Sequence, residues 1–233
     1  MNSNFNMINF FLIAFSQLPD PVFRRVIFKA GLLSVFVFIF LAIIVWFVLS
    51  ETNLFTFWLF EAFADMFGGI TAIVIAWLLF PSLASFFITL FLEDIVEAVE
   101  SRYYPNTLLE KINNPSATFI ISLRFTAIAL FLNILAIPFY FFTIWFPPLG
   151  IFLFYCLNGY LLGREYFELV ALRHIKLKDI STIRQSNSWQ LFLFGSVTTF
   201  LFTIPIINFL TPILGVAGMT HFFRKLPIIK SIQ

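Results

Sequence analysis

The chain has 233 residues, of which 61% are hydrophobic, and its charged side chains are limited to 14 Lys and Arg and 12 Asp and Glu. A soluble domain is about one quarter charged, so these side chains cannot cover a water-facing surface of this size. The composition therefore excludes a soluble enzyme, a disordered chain and a nucleic-acid-binding domain, and it indicates an integral membrane protein. With one Cys and two His, we expect no disulfide framework, no metal and no cofactor.

The first half of the chain predicts two membrane spans between short amphipathic segments. Residues 9–18 are apolar but too short to cross a bilayer, which indicates an interfacial helix. The uncharged run 30–50 has the length of one span, and a second span is predicted at 57–80, where Pro81 follows. Residues 82–104 then predict an interfacial helix on the cytoplasmic side.

The next long uncharged run, at 125–163, predicts a first helical hairpin (hairpin 1). It is too long for one helix, and Pro138 and the pair that begins at Pro147 are expected to break it. The two arms on either side of these prolines are short, so we expect partial insertion. Gly159 and Gly163 have the spacing that permits close helix packing.

A second proline-broken run, at 189–223, predicts hairpin 2. Breaks are expected at Pro205 and Pro212, and the segment between them carries no charge. A turn that emerged into water would carry more polar side chains. We therefore expect a re-entrant hairpin whose turn stays at membrane depth.

The basic residues predict the topology. All 14 Lys and Arg precede span 1, follow span 2, join the two hairpins or close the chain, whereas the loop 51–65 has three acids and no Lys or Arg. The positive-inside rule places that loop outside and both termini in the cytoplasm. We treat residues 1–233 as one membrane domain.

The strongest local motif opens the helix of span 1, at Asp20-Pro21. Asp at the N-cap and Pro at the first helical position favour a helix start there. Free backbone N–H groups and the positive end of the helix dipole would lie beside Arg24 and Arg25, a combination that suits a tetrahedral oxyanion. The alternative is that the two arginines anchor the helix to lipid headgroups.

The acidic and imidazole side chains predict no catalytic constellation. Glu93, Glu97 and Glu100 share one face of the interfacial helix, which we interpret as a solvated face. His174 and His221 stand apart and are predicted to be interfacial side chains. We therefore expect that the protein is not an enzyme.

Hairpin 2 carries most of the uncharged polar side chains that could line a permeation path. Ser196, Thr199 and Thr203 lie on its first arm, and Asn208 and Thr211 lie in its predicted turn. The alternative is that they form packing hydrogen bonds.

Three motifs carry a family resemblance: Pro21-Val22-Phe23-Arg24-Arg25, the helix end Glu97-Ala98-Val99-Glu100-Ser101-Arg102, and the hairpin segment from Phe194-Gly195 through Thr203-Ile204-Pro205 to Gly218. They resemble the CysZ sulfate-permease family and the related etoposide-induced membrane proteins. The aromatic stretch from Pro138 to Pro148, where the type members have a Gly-containing turn, is typical of the broader branch of that family.

The resemblance implies an all-α inner-membrane protein with two spanning helices and two partly inserted hairpins, assembled into homo-oligomers. It implies uptake of sulfate for cysteine synthesis. It also implies that Arg24 and Arg25 bind the anion with help from backbone N–H groups near Phe23. The sequence thus predicts a permease or channel for an inorganic oxyanion, with sulfate and the lipid bilayer as partners and no nucleic acid. The alternative is a non-transporting membrane scaffold of the same family.

Overall fold

The structure is a computed structural model that describes residues 7–51, 80, 83–105, 115–205 and 207–227. Every regular element in these ranges is helical, as expected. A helical segment at 83–89 precedes the third of the main helices. The main helices are α1 (Met7–Ser16), α2 (Pro21–Glu51), α3 (Leu92–Tyr103), α4 (Pro115–Thr143), α5 (Pro147–Ala171), α6 (Leu177–Ser186), α7 (Ser188–Thr203) and α8 (Ile207–Arg224).

Helix α8 is the centre of the described core. Every residue from Thr211 to Arg224 is buried, as expected for a helix that is apolar all round. Helices α1, α3, α5 and α7 pack against it. Aromatic rings join α1 to this core, because Phe10 meets Phe222 edge to face with centroids 5.9 Å apart and Phe11 stacks on Phe194 at 4.5 Å.

Glycines bring α5 and α7 together as the most extensive helix pair. A Cβ added to Gly195 would lie 1.9 Å from the carbonyl oxygen of Gly159 and 2.5 Å from the backbone nitrogen of Gly163. The backbones of the two helices are therefore in direct contact, which only glycine permits at these positions. The predicted packing role of Gly159 and Gly163 is confirmed.

Helix α4 lies outside this core and packs mainly on α5. Its stretch Leu123–Thr143 has 21 residues, and within the described residues it is the one helical stretch that is long and apolar enough to cross a membrane. Only 6% of its best 18-residue window is buried inside the protein. Such a helix is stable only where lipid or further protein covers it.

The predicted break at Pro138 is wrong. Pro138 lies inside α4, and the chain turns at 144–146 before α5 begins at Pro147, the other predicted break. The helix continues through Pro138 because proline removes only one backbone N–H from it. Ending the helix in apolar surroundings would leave several backbone groups without hydrogen bonds. Both arms of hairpin 1 are therefore longer than expected: their 29 and 25 residues correspond to about 43 and about 37 Å.

The predicted break at Pro212 is also wrong, whereas the chain does turn at Pro205. Helix α7 ends at Thr203, and α8 contains Pro212. The carbonyl four residues before Pro212 belongs to Asn208, and Ser85 donates its hydroxyl to that oxygen at 3.2 Å. A side chain thus replaces the backbone donor that proline lacks. The arms of 16 and 18 residues correspond to about 24 and about 27 Å.

The remaining predicted segments match the structure to different extents. The interfacial helix 9–18 corresponds to α1, one face of which is buried. Span 30–50 lies within α2, although the side chains at 42 and 45–51 are outside the described set. Span 57–80, except Phe80, and the outer loop 52–65 also lie outside the described residues. The interfacial helix 82–104 is interrupted by a turn at Leu90 and Phe91.

Candidate functional site

The start of α2 has the predicted cap geometry. The carboxylate of Asp20 accepts a hydrogen bond from the backbone N–H of Val22 at 2.9 Å, and its carbonyl oxygen accepts one from Arg24 at 3.0 Å. Pro21, at the first helical position, has no N–H to satisfy. The sequence therefore fixes this helix start locally, through side-chain capping and the fixed φ of proline.

The three predicted anion-binding residues follow directly in the first turn. Arg24 and Arg25 are exposed, whereas the side chain of Phe23 is 1% exposed and belongs to the core. The backbone N–H of Phe23 has no hydrogen-bond partner among the residues that the structure describes. Arg102 forms an ion pair with Asp20, so the cap carboxylate does not cancel the charge of the arginine pair.

The five predicted path-lining residues are spread over two helices. The hydroxyls of Ser196, Thr199, Thr203 and Thr211 each donate to a carbonyl oxygen one turn earlier in their own helix, at 2.6–2.9 Å. Thr199 and Thr211 are buried and Thr203 is exposed. The carbonyl oxygen of Asn208 is held by the helical segment 83–89, and its side-chain Oδ1 is buried without a hydrogen-bond partner. Their role as a path lining stays a prediction.

A buried ion cluster around Glu100 was not predicted. Glu100 is 3% exposed, and its Oε1 accepts hydrogen bonds from Arg224 Nη2 at 2.8 Å and from His174 Nε2 at 2.6 Å. The Arg224 guanidinium also lies 5.4 Å from the centre of the Tyr104 ring. The cluster joins α3, α8 and the turn after α5.

The cluster continues through His221 to Gln17, in the turn after α1. Tyr104 Oη lies 2.8 Å from His221 Nδ1, and Gln17 Nε2 lies 2.7 Å from His221 Nε2. A neutral imidazole serves both contacts, because one ring nitrogen donates and the other accepts. His221 is 3% exposed and the His174 ring 1%, so the prediction that both are isolated interfacial side chains is wrong.

The surroundings shift the pKa values of Glu100 and Tyr104 in this cluster. Burial alone would raise the pKa of Glu100, but the hydrogen bond with His174 and the charges of His174 and Arg224 outweigh it and hold the pKa below its ordinary value. Burial raises the pKa of Tyr104, with Arg224 opposing the shift in part. Glu100 is thus an ionised structural anchor at neutral pH.

The solvated acidic face on α3 is confirmed for Glu93 and Glu97 but is wrong for Glu100. The first two side chains are 77% and 61% exposed and lie 3.9 and 3.7 Å from Arg173. One signal for the burial of Glu100 exists in the sequence: Glu100 lies one turn after Val96, on the apolar face of α3. The partners of Glu100 leave no local signal, because Arg224 is 124 residues away.

A second buried ion cluster connects α5 and α6. Glu168 Oε1 lies 2.8 Å from Arg164 Nε and 3.4 Å from Arg184 Nε. The Arg164 guanidinium also lies 5.8 Å from the centre of the Phe125 ring on α4. Arg164 is buried and reaches α4 through the Phe125 ring, whereas Glu168 makes the contact with Arg184 on α6.

Within the described residues, no three His, Cys, Asp or Glu side chains lie together as metal ligands would.

The comparisons with known proteins identify the family. The comparison with curated proteins and the comparison with solved structures each gave no match. The profile of the family described as sulfate transporter CysZ/etoposide-induced protein 2.4 matches residues 10–212, which is most of the chain. The chain therefore belongs to the sulfate transporter CysZ/etoposide-induced protein 2.4 family.

Proposed function

We propose that this protein is a permease or channel of the inner membrane for an inorganic oxyanion, with sulfate as its substrate in support of sulfur assimilation. The observation that carries the proposal is the first turn of α2. Two exposed arginines, Arg24 and Arg25, directly follow Phe23, whose backbone N–H has no partner among the described residues. The family is of the transporter type, which favours this site over a mere lipid anchor.

The first turn supplies the interactions that a sulfate dianion needs. Each guanidinium offers planar, bidentate donors. The free N–H of Phe23 belongs to the first turn of α2, which is the positive end of the helix dipole. Because both arginines are exposed, the anion stays partly hydrated, so binding is weak enough for release. Arg102 removes the repulsion that the Asp20 carboxylate would otherwise exert.

The proposed arrangement is one membrane domain with both termini in the cytoplasm. Hairpin 2 is re-entrant in this proposal, since arms of 16 and 18 residues are shorter than a bilayer core of about 30 Å requires. The arms of hairpin 1 are long enough to cross, so arm length no longer argues for partial insertion there. Copies of the chain assemble into a homo-oligomer that lines the path.

Sulfate binding to purified protein tests the site. Arg24→Ala/Arg25→Ala should lower the affinity by at least about tenfold, because two charge-assisted contacts are lost. The matched control is Lys176→Ala/Lys178→Ala, which removes the same charge from two exposed positions and should leave binding unchanged. Equal affinity in the arginine variant and the wild type would overturn the site.

A non-transporting scaffold is the second candidate function. It is favoured by one observation: four of the five candidate path residues satisfy their hydroxyls inside their own helices, which leaves few donors for a moving anion. Flux of labelled sulfate into proteoliposomes, compared with chloride and phosphate, separates the two functions. Sulfate flux no faster than in empty liposomes would favour the scaffold.

A further inference from the structure

The last turn of α3 places a third guanidinium beside the first turn of α2. Arg102 Nη1 donates to Asp20 Oδ2, while Asp20 Oδ1 accepts the backbone N–H of Val22 at 2.9 Å. The Asp20 side chain is 10% exposed, whereas that of Arg102 is 60% exposed. A single carboxylate therefore separates a water-facing guanidinium from the backbone N–H groups that begin α2.

Arg102 has donors left after this ion pair. A guanidinium carries five N–H groups, and within the described residues Nη1 is the one nitrogen of the Arg102 guanidinium that has a partner. Both carboxylate oxygens of Asp20, by contrast, are engaged. Arg102 can thus hold Asp20 and still donate to an oxyanion that lies next to it in water.

A second contact fixes the end of α3 against the same turn. Tyr104, directly after α3, has its Oη 2.8 Å from His221 Nδ1, and His221 Nε2 lies 2.7 Å from Gln17 Nε2. The carbonyl oxygen of Gln17 accepts the backbone N–H of Asp20 at 2.9 Å. Arg102 therefore reaches α2 from an anchored helix end, and its position does not depend on the ion pair alone.

The charges at this helix start suit a dianion when Arg102 is counted. Arg24, Arg25 and Arg102 with the one carboxylate of Asp20 give a formal charge of +2, and without Arg102 the sum is +1. The electrostatic energy of a bound ion is proportional to its own charge. Each added cation therefore favours a doubly charged ligand over a singly charged one.

We propose that Arg102 is a third anion-binding residue, which selects a doubly charged tetrahedral oxyanion over singly charged anions while its Nη1 stays on Asp20. The inference rests on the proposed function, because Arg24 and Arg25 supply the rest of the site. It goes beyond charge compensation, since Arg102 contacts the anion itself and does not act only by neutralising Asp20.

A double-mutant cycle with Asp20→Asn separates direct contact from charge compensation. Asparagine keeps the N-cap of α2 and removes the carboxylate that Arg102 neutralises. We expect Arg102→Gln to weaken sulfate binding to the purified protein by about threefold or more, both in the wild type and in the Asp20→Asn background. No effect in the Asp20→Asn background would mean that Arg102 acts only on Asp20, and the inference would be overturned.

Lys178→Gln is the matched control for charge. It removes one cation from an exposed position on α6 and should leave sulfate binding unchanged. Equal losses in Lys178→Gln and Arg102→Gln would mean that net charge alone is responsible, which contradicts a contact at Arg102.

Selection by charge is tested with nitrate as the singly charged competitor. The ratio of the nitrate and sulfate concentrations that displace half of the labelled sulfate should fall by about twofold or more in Arg102→Gln, because the dianion loses more than the monoanion. Arg102→Lys keeps the cation and should keep most of this selectivity. An unchanged or higher ratio in Arg102→Gln would overturn the selective role, since a purely structural effect weakens both anions alike.

The outcome for the arginine pair of α2 distinguishes this inference from the proposed function. If Arg24→Ala/Arg25→Ala binds sulfate as the wild type does, the site itself is wrong and the role of Arg102 fails with it. If that variant loses sulfate while Arg102→Gln binds it unchanged, the site stands and only the inference about Arg102 fails.

Discussion

The carboxylates of Glu97 and Glu100 lie one turn apart on α3 and have different roles. Glu97 is exposed near Arg173, where water screens the pair and its contribution to stability is at most about 1 kcal/mol. Glu100 is buried with two cationic partners, and removing its charge would leave Arg224 buried beside a neutral group. Breaking a buried pair of this kind costs about 3–5 kcal/mol.

We therefore expect Glu100→Gln to lower the melting temperature of the purified protein in detergent far more than Glu93→Gln does. Glu93 is the matched control, because it lies on the same helix but is 77% exposed. Thermal unfolding at pH 7 measures both variants. Similar melting temperatures for the two variants would show that the buried cluster does not hold α3 to α8.

The same contacts predict a pH dependence. The folded-state pKa of Glu100 lies below the ordinary value of 4.5, so its stabilisation is fully present above that pH and is lost as the pH falls through the folded-state pKa. The difference in melting temperature between wild type and Glu100→Gln should thus shrink as the pH falls from about 5 to below about 4.5. A difference that grows over this acidic range would contradict the assignment.

At the scale of the element, the contact between α5 and α7 depends on the glycines at which the two backbones meet. The backbones meet at Gly195, so any side chain there must push the helices apart. Gly31, in α2, has no atom within 4 Å of where its Cβ would be. The same substitution should therefore have opposite effects at the two sites.

We expect Gly195→Ala to destabilise the protein by at least about 1–3 kcal/mol, because the clash is with backbone that cannot rotate away. Gly31→Ala should be neutral or stabilising by about 0.5–1 kcal/mol, since alanine favours the helix. Thermal unfolding of both variants in detergent makes the comparison. If Gly195→Ala melts like the wild type, the close contact between α5 and α7 is wrong.

Element boundaries were predictable from the sequence where the deciding interaction is local. Asp20 and Pro21 start α2 as expected, since the cap bonds lie within four residues. Pro138 and Pro212 do not end their helices, and for Pro212 the reason is the hydroxyl of Ser85, 123 residues from the carbonyl that it satisfies. The Glu100 cluster was missed for the same reason, because its members come from four distant segments of the chain. Long-range partners of this kind leave no pattern in a single sequence.

At the scale of the whole molecule, the proposed topology divides the protein into a cytoplasmic layer and a membrane layer. Both buried ion clusters lie next to the basic segments that the positive-inside rule assigns to the cytoplasm. The exposed apolar surface lies mainly on α2, α4 and the first part of α5. In the proposed topology, the ion clusters therefore hold the helices together at the cytoplasmic side of the bilayer, and the exposed apolar surface of the described residues lies within the membrane.

This division predicts which positions an impermeant thiol reagent can reach in sealed, right-side-out and inside-out vesicles. In a Cys156→Ala background, Lys178→Cys, exposed on α6, should react only from the cytoplasmic side, and Asn53→Cys, in the predicted outer loop, only from the other side. Pro205→Cys, at the turn of hairpin 2, should react from neither side, because a re-entrant turn ends within the bilayer core of about 30 Å. Reaction of Pro205→Cys from the outer side would mean that hairpin 2 crosses the membrane. Its arms of 16 and 18 residues are short for a full crossing, so the bilayer would have to be locally thinner.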